Sequence, residues 1–115
     1  MRLGEVCLLT DDVARLAAFY RRLLDLPEES GDPVHQTLIA AEPMLTIFND
    51  GQPHSTACSP VAIAFTVENM DAAYEKLLSM QAVIVEPPTV RPWGATNMSF
   101  RDPDGNLVYL RCFQK

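Results

Sequence analysis

The sequence predicts an α+β fold made of two βαβββ modules. Three observations support it: a strand and capped helix that recur along the chain, short strands after each predicted helix, and a Gly/Pro-rich segment between the halves. The chain has 115 residues, 48% of them hydrophobic, which suffices for one sizeable core. We expect a single domain over residues 1–115, with module one at 1–50, a linker at 51–59 and module two at 60–115.

The first module begins with a predicted strand and a capped helix. Val6 and Leu8 alternate toward the buried face of a strand, and Asp12 stands where a helix N-cap is expected. Apolar residues with helical spacing follow it. These are Val13, Leu16, Ala17, Tyr20 and Leu23.

The same pattern returns 57 residues later, which is the distance from Asp12 to Asn69. Ile63 and Phe65 replace the strand pair, and Asn69 replaces the cap. Met70, Ala73, Tyr74, Leu77 and Met80 replace the helical residues position for position. A match of strand, cap and helix at one offset indicates an internal repeat.

Short strands are predicted after each helix. In the first half they cover residues 36–40 and 44–48, joined around Glu42 and Pro43, with a weaker strand at 28–30. In the second half they cover 83–85, 97–101 and 107–113. The last two flank Asp102-Pro103-Asp104-Gly105, whose residue types favour a type I turn.

Composition excludes several classes of protein. A net charge of −6 disfavours nucleic acid as a partner, because phosphates require a basic surface. No apolar run approaches the roughly 20 residues of a membrane span, and no secretory signal is evident. Cys7, Cys58 and Cys112 are odd in number and widely spaced, which gives no support to disulfides or a structural zinc site. We expect a cytoplasmic protein with reduced thiols and no membrane partner.

Several motifs resemble the vicinal-oxygen-chelate superfamily, which includes glyoxalases, bleomycin-resistance proteins and extradiol dioxygenases. They are Asp12 after the first strand, Phe19-Tyr20, Leu23-Leu24-Asp25-Leu26, Pro92-Trp93-Gly94 and the stretch from Phe100 to Leu107. The resemblance covers nearly the whole chain. It implies that two modules pair their sheets into a cleft that holds the ligand, within one chain or across a dimer. It also favours a homodimer.

The resemblance also implies where a divalent metal would be bound. Metal-dependent relatives use His, Gln or Glu from the first and last strands of each module. The matching positions here are Glu5, Ala62, Tyr109 and a residue near Ile47, where the alignment can slip by one. Only Glu5 is a plausible ligand, so the sequence predicts no metal and no cofactor, and disfavours metal-dependent catalysis.

Strand alternation predicts which side chains line the cleft. Glu5, Cys7, Leu9, Ala62, Ala64 and Thr66 would face it, together with Leu107, Tyr109 and Arg111. The resemblance adds Trp93 and Phe100. The predicted ligand-binding residues are Glu5, Cys7, Ala62, Trp93, Phe100, Tyr109 and Arg111, and this lining suits a flat or partly cationic organic molecule.

Three functions follow from this lining. The leading one is a metal-free binding protein for an aromatic or cationic compound, as in bleomycin resistance. The second is an enzyme that uses Glu5 as general base or residual metal ligand, with Arg111 or Tyr109 stabilising negative charge. The third is a vestigial cleft that serves only dimerisation.

Structural roles compete with these assignments. Tyr109 and Phe100 are equally well explained as core residues, Glu5 and Arg111 as an ion pair, and Trp93 as a packing residue. His35 and His54 are expected in surface loops, and pairing either with Cys7 or Cys58 as a nucleophile has little support.

Overall fold

The computed structural model describes residues 1–54 and 61–113. The elements, in chain order, are β1 (Glu5–Leu9), α1 (Val13–Leu23), β2 (His35–Ile39), β3 (Met44–Phe48), β4 (Ile63–Thr66), α2 (Met70–Ser79), β5 (Val83–Val90), β6 (Ala95–Arg101) and β7 (Leu107–Phe113). The strands form two mixed sheets, as the sequence predicts for this α+β class. Contacts divide the chain into two compact units, Met1–Ser55 and Thr56–Lys115, called the first and second module below.

The first module has a three-stranded sheet in the order β1-β3-β2. Strand β1 runs parallel to β3, with Cys7 opposite Thr46, and β2 runs antiparallel to β3. Asp12 caps α1 as predicted, because its Oδ1 accepts a hydrogen bond from the Arg15 backbone N–H at 3.1 Å. The helical residues Leu16, Ala17 and Tyr20 are buried.

Residues 28–30 do not form the weak strand that the sequence predicts. A buried polar clamp, formed by Arg21 and Gln36, holds this segment instead. Arg21 donates to Gln36 Oε1 at 3.0 Å and contacts Glu29, while Gln36 Nε2 donates to the backbone oxygens of Ser30 and Asp32. Side chains of α1 and β2 therefore hold this segment through the Glu29 carboxylate and the Ser30 backbone oxygen.

The second module has a four-stranded sheet in the order β4-β7-β6-β5 and carries the full βαβββ pattern. Asn69 caps α2 by accepting from the Ala72 N–H at 3.0 Å. Strands β5 and β6 extend beyond the predicted 83–85 and 97–101 because their hairpin continues to a turn at residues 91–94.

The predicted turn between β6 and β7 is present. The Gly105 N–H donates to Asp102 O at 2.9 Å, and Gly105 adopts a φ of 86°, which glycine tolerates without strain. The Asp102 carboxylate accepts from the backbone N–H groups of Asp104 and Asn106. Asp102 thus closes the turn by accepting hydrogen bonds from three backbone N–H groups of the same sequence motif.

Each sheet buries one face against its own helix. In the first module, the buried face carries Leu8, Leu45 and Ile47. In the second module it carries Met98, Val108 and Leu110. The opposite side of each sheet is called its helix-free face below. The predicted alternation is confirmed, since Glu5 and Cys7 of β1 and Thr66 and Arg111 of the second sheet are exposed.

The predicted linker at 51–59 falls mostly on residues 55–60, and Cys58 with them, outside the described part of the chain. Within the described part, no helix is long and apolar enough to cross a membrane.

Candidate functional site

The helix-free face of the first module carries an oriented carboxylate. Thr46, on β3, donates its hydroxyl to Glu5 Oε2 at 2.6 Å. Thr46 is buried, whereas Glu5 is exposed. Because the threonine is fixed within the sheet, it holds one oxygen of the carboxylate in place.

An aromatic pair lies on the same face. His35 faces Phe48 across the β2–β3 pair, with ring centroids 5.9 Å apart in an edge-to-face arrangement. The expectation that His35 lies in a loop is therefore wrong, because it begins strand β2. Cys7, also on this face, is a free and exposed thiol.

The helix-free face of the second module carries an oriented guanidinium. Arg111 lies opposite Thr66 in the β4–β7 pair and donates from Nε to Thr66 Oγ1 at 2.9 Å. Its Cζ is 5.2 Å from the centroid of the Phe113 ring, a cation–π contact. Tyr109 is half-buried on the same face, opposite Ala64. Ala62 is exposed just before β4.

Glu5 and Arg111 each have a hydrogen-bond partner within their own module. Glu5 is bound by Thr46 and Arg111 by Thr66. Each module thus fixes its own charged side chain through a threonine hydroxyl of a neighbouring strand.

Phe100 does not belong to the helix-free face. It lies opposite Val108 in the β6–β7 pair and is fully buried. Residues directly opposite in an antiparallel pair share a face, so Phe100 lies on the helix side with Val108. The prediction that Phe100 lines the cleft is therefore wrong, and Phe100 belongs to the core of the second module.

Trp93 lies at the tip of the β5–β6 hairpin. Arg91 and Ala95 close this turn through a backbone hydrogen bond of 2.7 Å, and Gly94 has a φ of 90°. The Trp93 side chain is 69% exposed. Trp93 therefore contributes little to the core, which argues against the alternative that it packs beneath the loop.

The strand registers settle which residue of the first module corresponds to Tyr109. Tyr109 pairs with Ala64, whose repeat counterpart is Cys7, and Cys7 pairs with Thr46. The counterpart is therefore Thr46, one position from the predicted Ile47. Ile47 is fully buried on the helix side.

The residues at the implied metal positions do not fit a divalent metal. The first module offers Glu5 and Thr46, and the second offers Ala62 and Tyr109. Stable binding of a catalytic transition metal requires three or four good N, O or S ligands. One carboxylate that already accepts a hydrogen bond falls short of that set. Among the described residues, no group of three or more His, Cys, Asp or Glu side chains is arranged to hold an ion.

His54 pairs with Asp50 at the end of the first module. His54 Nε2 lies 2.8 Å from Asp50 Oδ1 and 3.0 Å from Oδ2. The backbone N–H of Gln52, and then His54, lower the pKa of Asp50. His54 thus has a local partner in a turn segment rather than a place in a strand-borne site.

Four residues on these faces escaped the sequence reasoning. Thr46, Phe48, Asn97 and Phe113 are brought to the helix-free faces by the registers of β3, β6 and β7. Alternation along β3 and β6 would have placed the first three, and continuing it to the end of β7 would have placed Phe113.

The chain belongs to the glyoxalase/bleomycin resistance protein/dioxygenase superfamily. The family's sequence model matches residues 2–110, nearly the whole chain. This confirms the resemblance seen in the motifs. Among curated proteins, no sequence matches this chain.

Solved structures of the same superfamily share the fold. A glyoxalase/bleomycin resistance protein/dioxygenase family enzyme from Burkholderia phytofirmans PsJN matches with a TM-score of 0.83 and 16% identity, over 99% of this chain and 100% of that one. A lactoylglutathione lyase from Agrobacterium tumefaciens matches with a TM-score of 0.72 and 19% identity, over 96% and 92%. The fosfomycin resistance protein FosX from Mesorhizobium loti matches with a TM-score of 0.75 and 17% identity, over 98% and 92%. At these identities the likeness establishes the fold alone.

Proposed function

We propose that the chain is a small-molecule-binding protein of the glyoxalase/bleomycin-resistance type that holds an aromatic or cationic organic compound without a metal ion. The observation that carries the proposal is the donor set at the four implied metal positions. Thr46, Ala62 and Tyr109 accompany Glu5 there, so a single carboxylate remains where a metal needs several ligands.

The helix-free faces support an organic ligand. Phe48, Tyr109 and Phe113 supply aromatic surface, and Glu5 supplies a fixed negative charge for a cationic group. The proposed ligand-binding residues are accordingly Glu5, Cys7, Ala62, Trp93, Tyr109 and Arg111, without Phe100.

Elemental analysis and thermal melting of the purified protein test this function. We expect well below one equivalent of metal and no rise in Tm with Mn, Fe, Ni or Zn. A naphthyl compound should raise Tm, since ligand at a hundred times its Kd stabilises the folded state by about 2.7 kcal/mol. Stoichiometric metal that stabilises the fold would restore the metalloenzyme interpretation.

A charge variant sharpens the test. Glu5→Gln should weaken binding of naphthylmethylammonium about tenfold, because it removes a charge-assisted contact of roughly 1.4 kcal/mol. Glu75→Gln is the matched control, since Glu75 is exposed on α2. Equal losses in the two variants would contradict a specific role for Glu5.

A second candidate is an enzyme in which Glu5 is a general base. The hydrogen bond of 2.6 Å from Thr46 favours it, because it orients an exposed carboxylate. Turnover of a substrate by the wild type, lost in Glu5→Gln and reduced in Thr46→Val, would support this candidate over simple binding.

We further propose that the protein is a cytoplasmic homodimer without a nucleic-acid partner. The net charge of −6 supports the last point, and resemblance supports the dimer. A native mass near the 12.8 kDa of one chain would contradict the dimer. That result would also remove the interpretation of the chain as a dimerisation module.

A further inference from the structure

A row of polar side chains crosses the whole sheet of the second module. Thr66 pairs with Arg111, Arg111 with Asn97, and Asn97 with Thr89, through strands β4, β7, β6 and β5. Paired residues of neighbouring strands lie on one face, so these four side chains stand side by side on the helix-free face.

Arg111 is held in this row with one edge of its guanidinium unused. Nε donates to Thr66 Oγ1 at 2.9 Å, and Cζ lies 5.2 Å from the centre of the Phe113 ring. Among the described residues of this module, none accepts a hydrogen bond from the terminal nitrogens Nη1 and Nη2 of Arg111. A guanidinium fixed at Nε and stacked on a ring presents its terminal nitrogens as a fork of donors.

Asn97, the register partner of Arg111 on β6, has an unpartnered side-chain oxygen. Its Oδ1 is buried without a hydrogen bond to any described residue. Buried amide groups are normally paired, and an unpaired one is costly. Rotation about χ2 exchanges the amide oxygen and nitrogen, so Asn97 can turn a donor toward a group bound at Arg111.

Aromatic side chains flank the fork along β7. Tyr109 and Phe113 precede and follow Arg111 by two residues and therefore share its face. A ligand whose charged end binds Arg111 would lay its apolar body along one of these rings.

We propose that Arg111 and Asn97 form a subsite for the carboxylate of an aromatic organic acid. The inference rests on the proposed small-molecule binding and specifies its ligand class. A carboxylate offers two coplanar oxygens that match the two terminal nitrogens of a guanidinium, with Asn97 as a third contact.

Binding of three naphthyl probes to the full chain tests the subsite. They are naphthoate, the neutral naphthamide and naphthylmethylammonium. We expect naphthoate to bind about ten to a hundred times more tightly than naphthamide, the effect of a charge-assisted contact. Arg111→Gln should abolish this preference and Arg111→Lys, which keeps the charge but loses the fork, should reduce it. Arg91→Gln is the matched control, because Arg91 pairs with Glu86 on the same sheet.

The Nε–H resonance of Arg111 and the side-chain amide resonances of Asn97 give a readout that a purely structural role would not move. Naphthoate should shift both, and naphthamide should shift neither. Equal affinity for naphthoate and naphthamide, or a preference that survives Arg111→Gln, would overturn the subsite while leaving small-molecule binding intact. No binding of any probe would overturn both proposals.

Discussion

The two modules share one scaffold but differ on their helix-free faces. Both begin with a strand, a polar N-cap and a helix, at positions 57 residues apart. On the helix-free side, however, the first module fixes a carboxylate through Thr46 and the second fixes a guanidinium through Thr66. The repeat therefore keeps the pattern of apolar and capping residues that builds the sheet and helix. The charged side chains on the helix-free faces, in contrast, have diverged between the modules.

The largest expected effects come from the two cores. Tyr20→Ala in the first module and Phe100→Ala in the second should each lower the free energy of unfolding by about 3–5 kcal/mol, because both side chains are fully buried. Denaturant unfolding measures the loss, and Phe100→Leu should cost less than Phe100→Ala. If Phe100→Ala barely changed stability but weakened ligand binding, its assignment to the core would be wrong.

The polar clamp distinguishes the first module from the second. Arg21→Met should cost about 1–3 kcal/mol, since it removes the donor that binds Oε1 of the buried Gln36 side chain. Gly31→Ala should also destabilise, because Gly31 has a φ of 58° and a Cβ there would lie 2.5 Å from the Gln36 side chain. Arg15→Met on the exposed side of α1 is the control, and a similar loss in that variant would argue against the clamp.

The N-caps test how closely the modules correspond. Asp12→Ala and Asn69→Ala should each cost about 1 kcal/mol, because each side chain accepts from the backbone N–H three residues later. Thermal unfolding gives both values, with Asp11→Ala as a control outside the helix. Very different losses would show that one helix depends much less on its cap.

The smallest effect concerns pH. Backbone N–H groups of Val34 and His35 lower the pKa of Asp32 from its usual value of 3.8, against an opposing effect of desolvation. Because the folded-state pKa is depressed, the stabilisation is present above the unfolded value and is lost as pH falls through the folded one. The stability difference between wild type and Asp32→Ala should therefore shrink on acidification below pH 3.8. A difference that stays constant would mean that these hydrogen bonds do not depend on the charge.

Local sequence patterns predicted most of the helices and strands. Helix α1 and strands β3 and β7 begin and end where the sequence predicts them, because caps, alternation and turn residues act over a few positions. The segment 28–30 was wrongly predicted as a strand, since Arg21 contacts the Glu29 side chain and Gln36 binds the Ser30 backbone oxygen, and a local pattern does not reveal such contacts.

The site was less predictable because it depends on register. The sequence placed this position near Ile47 and left a slip of one residue open, and pairing through Cys7 selects Thr46. A shift of one residue moves a side chain to the other face of a strand, so the register decides between a buried apolar residue and a polar neighbour of Glu5. Phe100 was placed in the lining by resemblance, whereas its pairing with Val108 puts it on the helix side. Glu5 and Arg111, on the first and last strands of the repeat, were placed on the predicted faces.

The hairpin tip has one further consequence. Trp93 is the single tryptophan of the chain, and it is 69% exposed. The tryptophan fluorescence of the protein therefore comes from one indole in contact with water. Any molecule or second chain that covers this tip should shift the emission to shorter wavelength, so the protein carries its own optical reporter of what approaches the β5–β6 turn.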